Sequence, residues 1–425
     1  MRHGCRSRAY RDVLTACFDN GFQINSCFGM IRILHIGKFF PPFAGGMEHF
    51  LADLLPALQN QGIQTAALVH SQPFGSHHAF QSYYQGDANL PIYQAPCYGQ
   101  LLYAPLSPSF PLRLARAIQT FKPDILHLHM PNTSAFWTIT MPSARRIPWV
   151  IHWHSDVVTS HINRRLFWAY QFYRPLEHQL LAHSLAIIAT SPPYLGSSQA
   201  LRPWQAKCYI IPLGLNPARI PDPKKEALYH VATLWQGASF KVLAIGRLAY
   251  YKGFDFLIKA VADLANLRLL IVGKGELHSR LESLIKTQRL DDKVTLLGFQ
   301  DEAQLSALFA SCDVLCLPSL ERTEAFGLVL LEAMRFQKPV IASDIPGSGV
   351  GWVVHQGGNG LLVKPADSDA LRQALHQLQQ QSPWQRQQLG KTGALSLQNT
   401  FHINRIAETM VSLYQKISID TDKKH

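Results

Sequence analysis

The stretch Ser319–Pro339, SLERTEAFGLVLLEAMRFQKP, sets Glu324 and Glu332 eight residues apart. Glu324 stands just before Ala325-Phe326-Gly327, where an apolar helical run begins and continues through Leu328; Glu332 is expected about two turns inside that run. A carboxylate at a loop-to-helix junction, a glycine that admits a ligand close to the backbone, and free helix N–H groups together suit a phosphorylated sugar. The N–H groups and the helix dipole would take the phosphate, Glu324 would accept from sugar hydroxyls, and Glu332 from a ribose diol. The spacing alone equally suits a helix with an N-terminal acid and one solvated glutamate.

An upstream segment favours the ligand-binding reading. Gly246-Arg247-Leu248-Ala249-Tyr250-Tyr251-Lys252-Gly253 follows the apolar run Val242 to Ile245, which reads as a buried parallel strand, and precedes the helical run FDFLIKAVADL. Arg247 and Lys252 are placed to clamp a diphosphate, the guanidinium through two oxygens at once and the ammonium as a point charge. A departing diphosphate needs its charge neutralised by a divalent metal or by fixed cations. No acidic D-x-D cluster stands near a strand end, so the expectation is a metal-free site with no cofactor beyond a substrate nucleotide.

Together GRLAYYKG and EAFGLVLLE resemble the donor-binding half of the family-4 retaining glycosyltransferases, which have the GT-B fold. FFPPFAGGMEHF (39–50), DILHLHMP (124–131), HWHSD (152–156), VGKGEL (272–277), LLGFQ (296–300) and PVIASDIPGSG (339–349) extend the resemblance over roughly Met30 to Pro365. It implies a nucleotide-diphosphate sugar as donor, with Gly246, Arg247, Lys252, Glu324, Ala325, Phe326, Gly327, Leu328 and Glu332 around it. Gly273 and Leu297 would lie along the nucleotide, and the Gly45-Gly46 loop would close over donor and acceptor. His154 matches the family's sugar-contacting histidine, so the implied catalytic set is His154, Arg247, Lys252 and Glu324. No carboxylate is placed as a nucleophile, which agrees with front-face attack by the acceptor hydroxyl, the departing diphosphate oxygen taking its proton. The wording around SLERTEAFG is also similar to exopolysaccharide and O-antigen mannosyltransferases. That implies GDP-mannose ahead of UDP-hexoses as donor, and a glycan or polyprenyl-diphosphate-linked acceptor. One departure is Gln337, where similar sequences carry glycine; a glycine there would suit a left-handed helix cap, so Gln337 implies modest local strain or a different turn.

At 425 residues the chain suits two domains. No apolar run approaches the roughly eighteen residues of a spanning helix. The seven cysteines show no C-x-x-C pair and read as reduced cytosolic thiols. The net charge of +12 is concentrated in the N-terminal half. No nucleic-acid motif accompanies it, so anionic lipid or a lipid diphosphate is the better partner, and the expected location is the cytoplasm, peripheral on the inner face of the plasma membrane.

Strand-like and helix-like segments alternate along both halves, as parallel α/β sheets require. The expected fold is α/β with two facing Rossmann-like domains; the resemblance adds a C-terminal crossover helix. The boundaries are 1–29, a disordered upstream extension; 30–213, an acceptor-side domain; 214–390, a nucleotide-sugar-binding domain; 391–418, helices returning to the first domain; and 419–425, a charged tail. The polar stretch Asn216 to Glu226 reads as linker or exposed loop.

Other constellations admit plainer readings. HLH and HWH (His127, His129, His152, His154) could offer two strand-borne metal ligands each, but no acidic or cysteine partner is nearby, and no metal is expected. Asp156 would orient His154 or cap a helix. Glu48 and Glu276 would cap the helices that follow them. Residues 164–181 interleave arginines with aromatic rings, which suits a membrane interface or, more simply, a core-facing helix. An epimerase or phosphorylase of the same fold, a non-catalytic carbohydrate-binding protein, and a nicotinamide-dependent oxidoreductase remain rival functions, the last lacking its glycine fingerprint.

Overall fold

The computed structural model describes residues 30–43, 45–71, 80–85, 88–101, 104–157 and 164–422. The extension expected over 1–29 lies outside them.

Apolar runs form the strands of two sheets. The first is eight-stranded, in the order β10-β9-β8-β7-β1-β2-β4-β3. Its strands are β1 (Arg32–Ile36), β2 (Gln64–His70), β3 (Phe80–Gln85), β4 (Ala88–Ala95), β7 (Ile125–Met130), β8 (Trp149–Trp153), β9 (Ala186–Ala189) and β10 (Cys208–Ile210). All neighbours are parallel except β3 with β4. That edge hairpin was not foreseen, although the Gly86-Asp87 dipeptide between two aromatic-bearing runs is its sequence signature. A two-stranded ribbon, β5 (Gln100–Leu101) and β6 (Ala104–Pro105), follows it.

The second sheet is six-stranded and wholly parallel, ordered β13-β12-β11-β14-β15-β16. Its strands are β11 (Phe240–Ile245), β12 (Leu267–Val272), β13 (Val294–Gly298), β14 (Val314–Leu317), β15 (Val340–Ser343) and β16 (Gly360–Val363). In each sheet the strand order reverses beside one strand: β1 lies between β7 and β2, and β11 between β14 and β12. Open α/β sheets bind ligands in the crevice beyond the carboxyl ends of strands at such points. The loops that leave there include Gly37–Gly46 after β1, Gly246–Gly253 after β11 and Ser319–Gly327 after β14, all three singled out by sequence.

The domains share apolar contacts. One core cluster runs from Ile33, Phe50 and Leu54 through Leu330 and Phe401 to Ile406 and Tyr414. The final helix, Ile403–Asp422, crosses back to pack on the first helix, Gly46–Asn60. At the crossing Leu215 N donates to Phe401 O at 2.9 Å and Ile403 N to Leu215 O at 3.1 Å.

Local structure adds detail near these bounds. The stretch expected as linker or exposed loop is a partly exposed loop as far as Lys224, with a turn at Pro217–Arg219 and a buried Ile220, and a helix starts at Lys225. The 390/391 boundary falls within the Pro383–Ser396 helix, and the expected tail is helical to Asp422. Gln337 does adopt the left-handed conformation at φ 54, just beyond the Leu328–Arg335 helix. The Arg164–His183 helix divides its aromatic residues: Phe167, Trp168 and Phe172 are exposed, while Tyr173 packs edge-on to Phe136 against the core beside buried Glu177, Leu180 and Leu181. Among the described residues, no helix is long and apolar enough to cross a membrane.

Candidate active site

After β11 the chain turns through Gly246, and the short helix Tyr250–Lys252 buries Lys252. Its ammonium lies 2.5 Å from Glu324 Oε2, to which Ser319 Oγ also donates at 3.1 Å. Burial pulls the ammonium toward neutrality, but Glu324 outweighs it and raises the Lys252 pKa, so the group is cationic. Glycines create the room. A Cβ on Gly246 would meet Lys252 Cε at 2.9 Å, and one on Gly273, at φ 143, would meet Gly246 O at 1.9 Å. The glutamate is held from its backbone too: Ser348 Oγ donates to Glu324 O at 2.5 Å and Gly349 N to Ala325 O at 2.8 Å.

Gly327, at φ 78, caps the Leu328–Arg335 helix, a left-handed position that favours glycine. Phe326 is buried among Trp352 and Phe401 and belongs to the core. Leu328 faces Gly46 of the other domain, whose Cβ, if present, would lie 3.9 Å away. Glu332 lies little more than one turn into this eight-residue helix, nearer its start than expected.

Arg247 does not join the Lys252–Glu324 pair. It is half-exposed, with Nη2 3.4 Å from Glu276 Oε2. Glu276 is therefore an ion-pair partner; the helix after it begins at His278 with Leu277 in the cap position. The Leu297 carbonyl accepts from the Gln300 side chain at 2.8 Å, and Gly273 N donates to Gly298 O at the same distance, fixing this turn beside β13.

Two residues were missed by sequence. Arg219, in the supposed linker, donates to Asp53 Oδ2 at 3.1 Å and to Glu332 Oε1 at 3.4 Å, and Nη1 approaches His49 Nδ1 at 3.4 Å. It thus ties the carboxylate expected for the ribose to the first helix. Burial pushes Asp53 up to about 6 despite Arg219, and burial with Arg219 brings His49 down to about 4. Lys38 follows β1 on the facing domain; burial lowers its pKa, Glu48 opposes this, and the charge of Arg247 lowers it further. Cations from both domains therefore meet at the crevice. The helix after Gly45 has no side-chain cap at Gly45; the buried Glu48 carboxylate sits over Gly45, where a Cβ would meet Oε2 at 2.1 Å.

Asp156 does not touch His154. Its carboxylate accepts from Trp153 Nε1 at 2.8 Å, Ser198 Oγ at 2.7 Å and, across the domains, Arg322 Nη2 at 2.9 Å. Ser191 is a cap, accepting from Tyr194 N. His154 itself is buried and meets His129 at 2.9 Å. Around them His35, His127 and His152 complete a group of five buried histidines from β1, β7, β8 and the loop after it. Two triads, His35/His127/His129 and His129/His152/His154, have a ring nitrogen from each residue within 4.8 Å. Sequence suggested two separate pairs; parallel registry of His35 with His127 and of His129 with His152 merges them.

Comparison with known proteins agrees with this architecture. Residues 45–214 match the family described as Glycosyl transferase 4-like domain, and residues 227–395 the family Glycosyl transferases group 1. The O-antigen chain mannosyltransferase C of Escherichia coli is 27% identical over 393 residues, covering 90% of this chain and 98% of that one. D-rhamnosyltransferase WbpZ of Pseudomonas aeruginosa is 28% identical, covering 87% and 92%. The structure of sucrose-phosphate synthase from Thermosynechococcus elongatus superposes with a TM-score of 0.74 at 24% identity, over 91% of this chain and 99% of that one. Fold and motifs define a nucleotide-sugar-dependent enzyme class. The chain belongs to the GT-B glycosyltransferases, with a family-4-type first domain and a group 1 second domain.

Proposed function

We propose that this protein is a retaining, metal-independent hexosyltransferase that moves mannose from GDP-mannose to a glycan or polyprenyl-diphosphate-linked acceptor during surface polysaccharide synthesis. The observation that carries the reading is the buried Lys252–Glu324 pair at the mouth of the Gly327-capped helix. Lys252, with Arg247 at the other end of the same loop and the helix N–H groups, neutralises the diphosphate as the glycosidic bond breaks. Glu324 accepts from donor hydroxyls while Lys252 and Ser319 hold it; Glu332, steadied by Arg219, takes the ribose; His154 lines the sugar side. The acceptor hydroxyl attacks the face the diphosphate leaves, and a diphosphate oxygen takes its proton. The names of the two long relatives, a mannosyltransferase and a D-rhamnosyltransferase, support a manno-configured donor. Exposed Phe167, Trp168 and Phe172, with Arg174 on the same helix, suit the surface of an anionic membrane that carries the acceptor.

The test incubates purified protein with GDP-mannose, UDP-glucose or ADP-glucose and a lipid-linked acceptor, with and without EDTA. Expected are acceptor-dependent release of GDP, turnover indifferent to EDTA, and an α-linked product by NMR. Preference for another nucleotide removes the mannose assignment. A β-linked product, or loss of turnover with EDTA, removes the mechanism.

A further inference from the structure

His35, His129 and His154 are joined end to end. His35 Nδ1 lies 3.1 Å from His129 Nε2, and His129 Nδ1 lies 2.9 Å from His154 Nε2. The ring centroids are 5.4 and 5.2 Å apart with interplanar angles of 31° and 20°. Those separations are what in-plane N–H···N bonds directed along the line between the rings require. Other contacts in the group are face-to-face instead: His152 stacks on His154 at 4.2 Å and 9°, and His127 on His129 at 4.7 Å and 17°. Stacked rings direct their lone pairs side by side, not toward one ion, so the arrangement is better suited to hydrogen bonding than to coordination.

We propose that His35, His129 and His154 form an imidazole chain that fixes which nitrogen of His154 carries its proton, making His129 and His35 positioning residues for the sugar-facing histidine. This rests on the reading that His154 lines the sugar site. Burial and neighbouring rings hold His35 and His129 far below the usual histidine range, and burial brings His154 down to about 3, so all three rings are neutral with one N–H each. Both links run from Nδ1 of one ring to Nε2 of the next. Only two proton arrangements satisfy both bonds: every ring protonated on Nδ1, or every ring on Nε2. The three tautomers are therefore coupled.

The free ends decide between them. His35 Nε2 and His154 Nδ1 are buried and have no partner among the described residues. With protons on Nε2 the buried N–H without an acceptor lies at His35, and with protons on Nδ1 it lies at His154, the end read as facing the sugar. With protons on Nδ1, His35 is left only a bare lone pair, and the unused donor moves to His154 Nδ1. A sugar hydroxyl accepting there completes the chain, so His154 acts as donor to the ligand.

The experiment is long-range 1H–15N correlation NMR on protein labelled with 15N-histidine, with and without nucleotide sugar. Expected is the Nδ1–H tautomer at His35, His129 and His154 alike. In His35→Phe, two rings along the chain from His154, the His154 pattern should become mixed. Transfer should then show kcat about tenfold lower, the loss of one hydrogen bond, at unchanged donor KM. Opposite tautomers at His129 and His154, or an unaltered His154 pattern in His35→Phe, would overturn the chain. So would uptake of one equivalent of Zn2+ that abolishes these ring signals. The tautomer readout on the unmodified protein needs neither turnover nor a folded variant. If the chain is found but kcat and KM of His35→Phe match the parent, its link to the sugar site fails while the transferase reading stands.

Discussion

Replacing Lys252 with methionine keeps the aliphatic stem and deletes the charge beside Glu324. The side chains of the pair are only 11% and 12% exposed, and the N···O distance is 2.5 Å. At an effective dielectric near 20 their attraction is about 7 kcal/mol, much of it offset by the cost of removing both ions from water. Deleting one partner strands the other, and buried pairs broken in this way lose roughly 3–5 kcal/mol of stability. Ser319 still donates to Glu324 in the variant, so the lower end, about 3 kcal/mol, is expected. Glu324→Gln should cost a similar amount by stranding Lys252, whereas the double variant should cost about 1 kcal/mol or less, because neither charge remains. Urea unfolding of all four proteins at pH 7.5 reads this cycle. In transfer assays each single variant should lose about a hundredfold to a thousandfold in kcat, the size of one preorganised electrostatic group. Affinity for the nucleoside diphosphate should fall in Lys252→Met while that for the bare nucleoside does not. A double variant as unstable as the sum of the singles would refute the coupling. Undiminished diphosphate affinity in Lys252→Met would refute the role of the lysine.

Acid should destabilise the fold through the histidine group. With the folded His154 pKa at about 3, below its unfolded value, the unfolded state binds more protons between the two; stability is full above the unfolded value and falls by about 5 kcal/mol as pH drops through that window, a slope that urea midpoints should show reduced by about one proton in His154→Gln. Arg219→Gln should raise the donor KM several-fold by releasing Glu332 and Asp53, with a smaller change in kcat, measured by initial rates. Gly327→Ala should cost about 1–2 kcal/mol in thermal unfolding, because φ 78 is strained for alanine and its Cβ would sit 3.0 Å from Leu317 Cδ2. Trp168→Ser with Phe172→Ser should reduce co-sedimentation with anionic vesicles at least tenfold while the melting temperature stays within a few degrees, since the two side chains are 63% and 80% exposed.

Features that depend on neighbours along the chain could be read in advance. Apolar runs a few residues long, broken by Gly, Pro and amphipathic segments, specify parallel strands and the helices between them, so the second sheet, most of the first and the Gly246–Gly253 and Ser319–Gly327 loops were legible, whereas the β3–β4 hairpin was missed and the turn at Gln337 was read only from the resemblance. What those loops face emerges only when the two sheets come together. Lys252 and Glu324 are seventy-two residues apart and were assigned separate tasks, yet folding makes them one ion pair. Arg219 looked like linker because nothing beside it in sequence reveals Asp53 or Glu332, which reach it from two other helices. The exposed rings of the Arg164–His183 helix could not be told from a core face, because the same spacing serves either environment. The histidines appeared as two dipeptide-spaced pairs; the registers of β1, β7 and β8 set His35, His129 and His154 in line. Strand periodicity is a local property of the backbone, whereas register and domain closure arise from contacts distant in sequence, and it is there that the chemistry of this crevice is assembled.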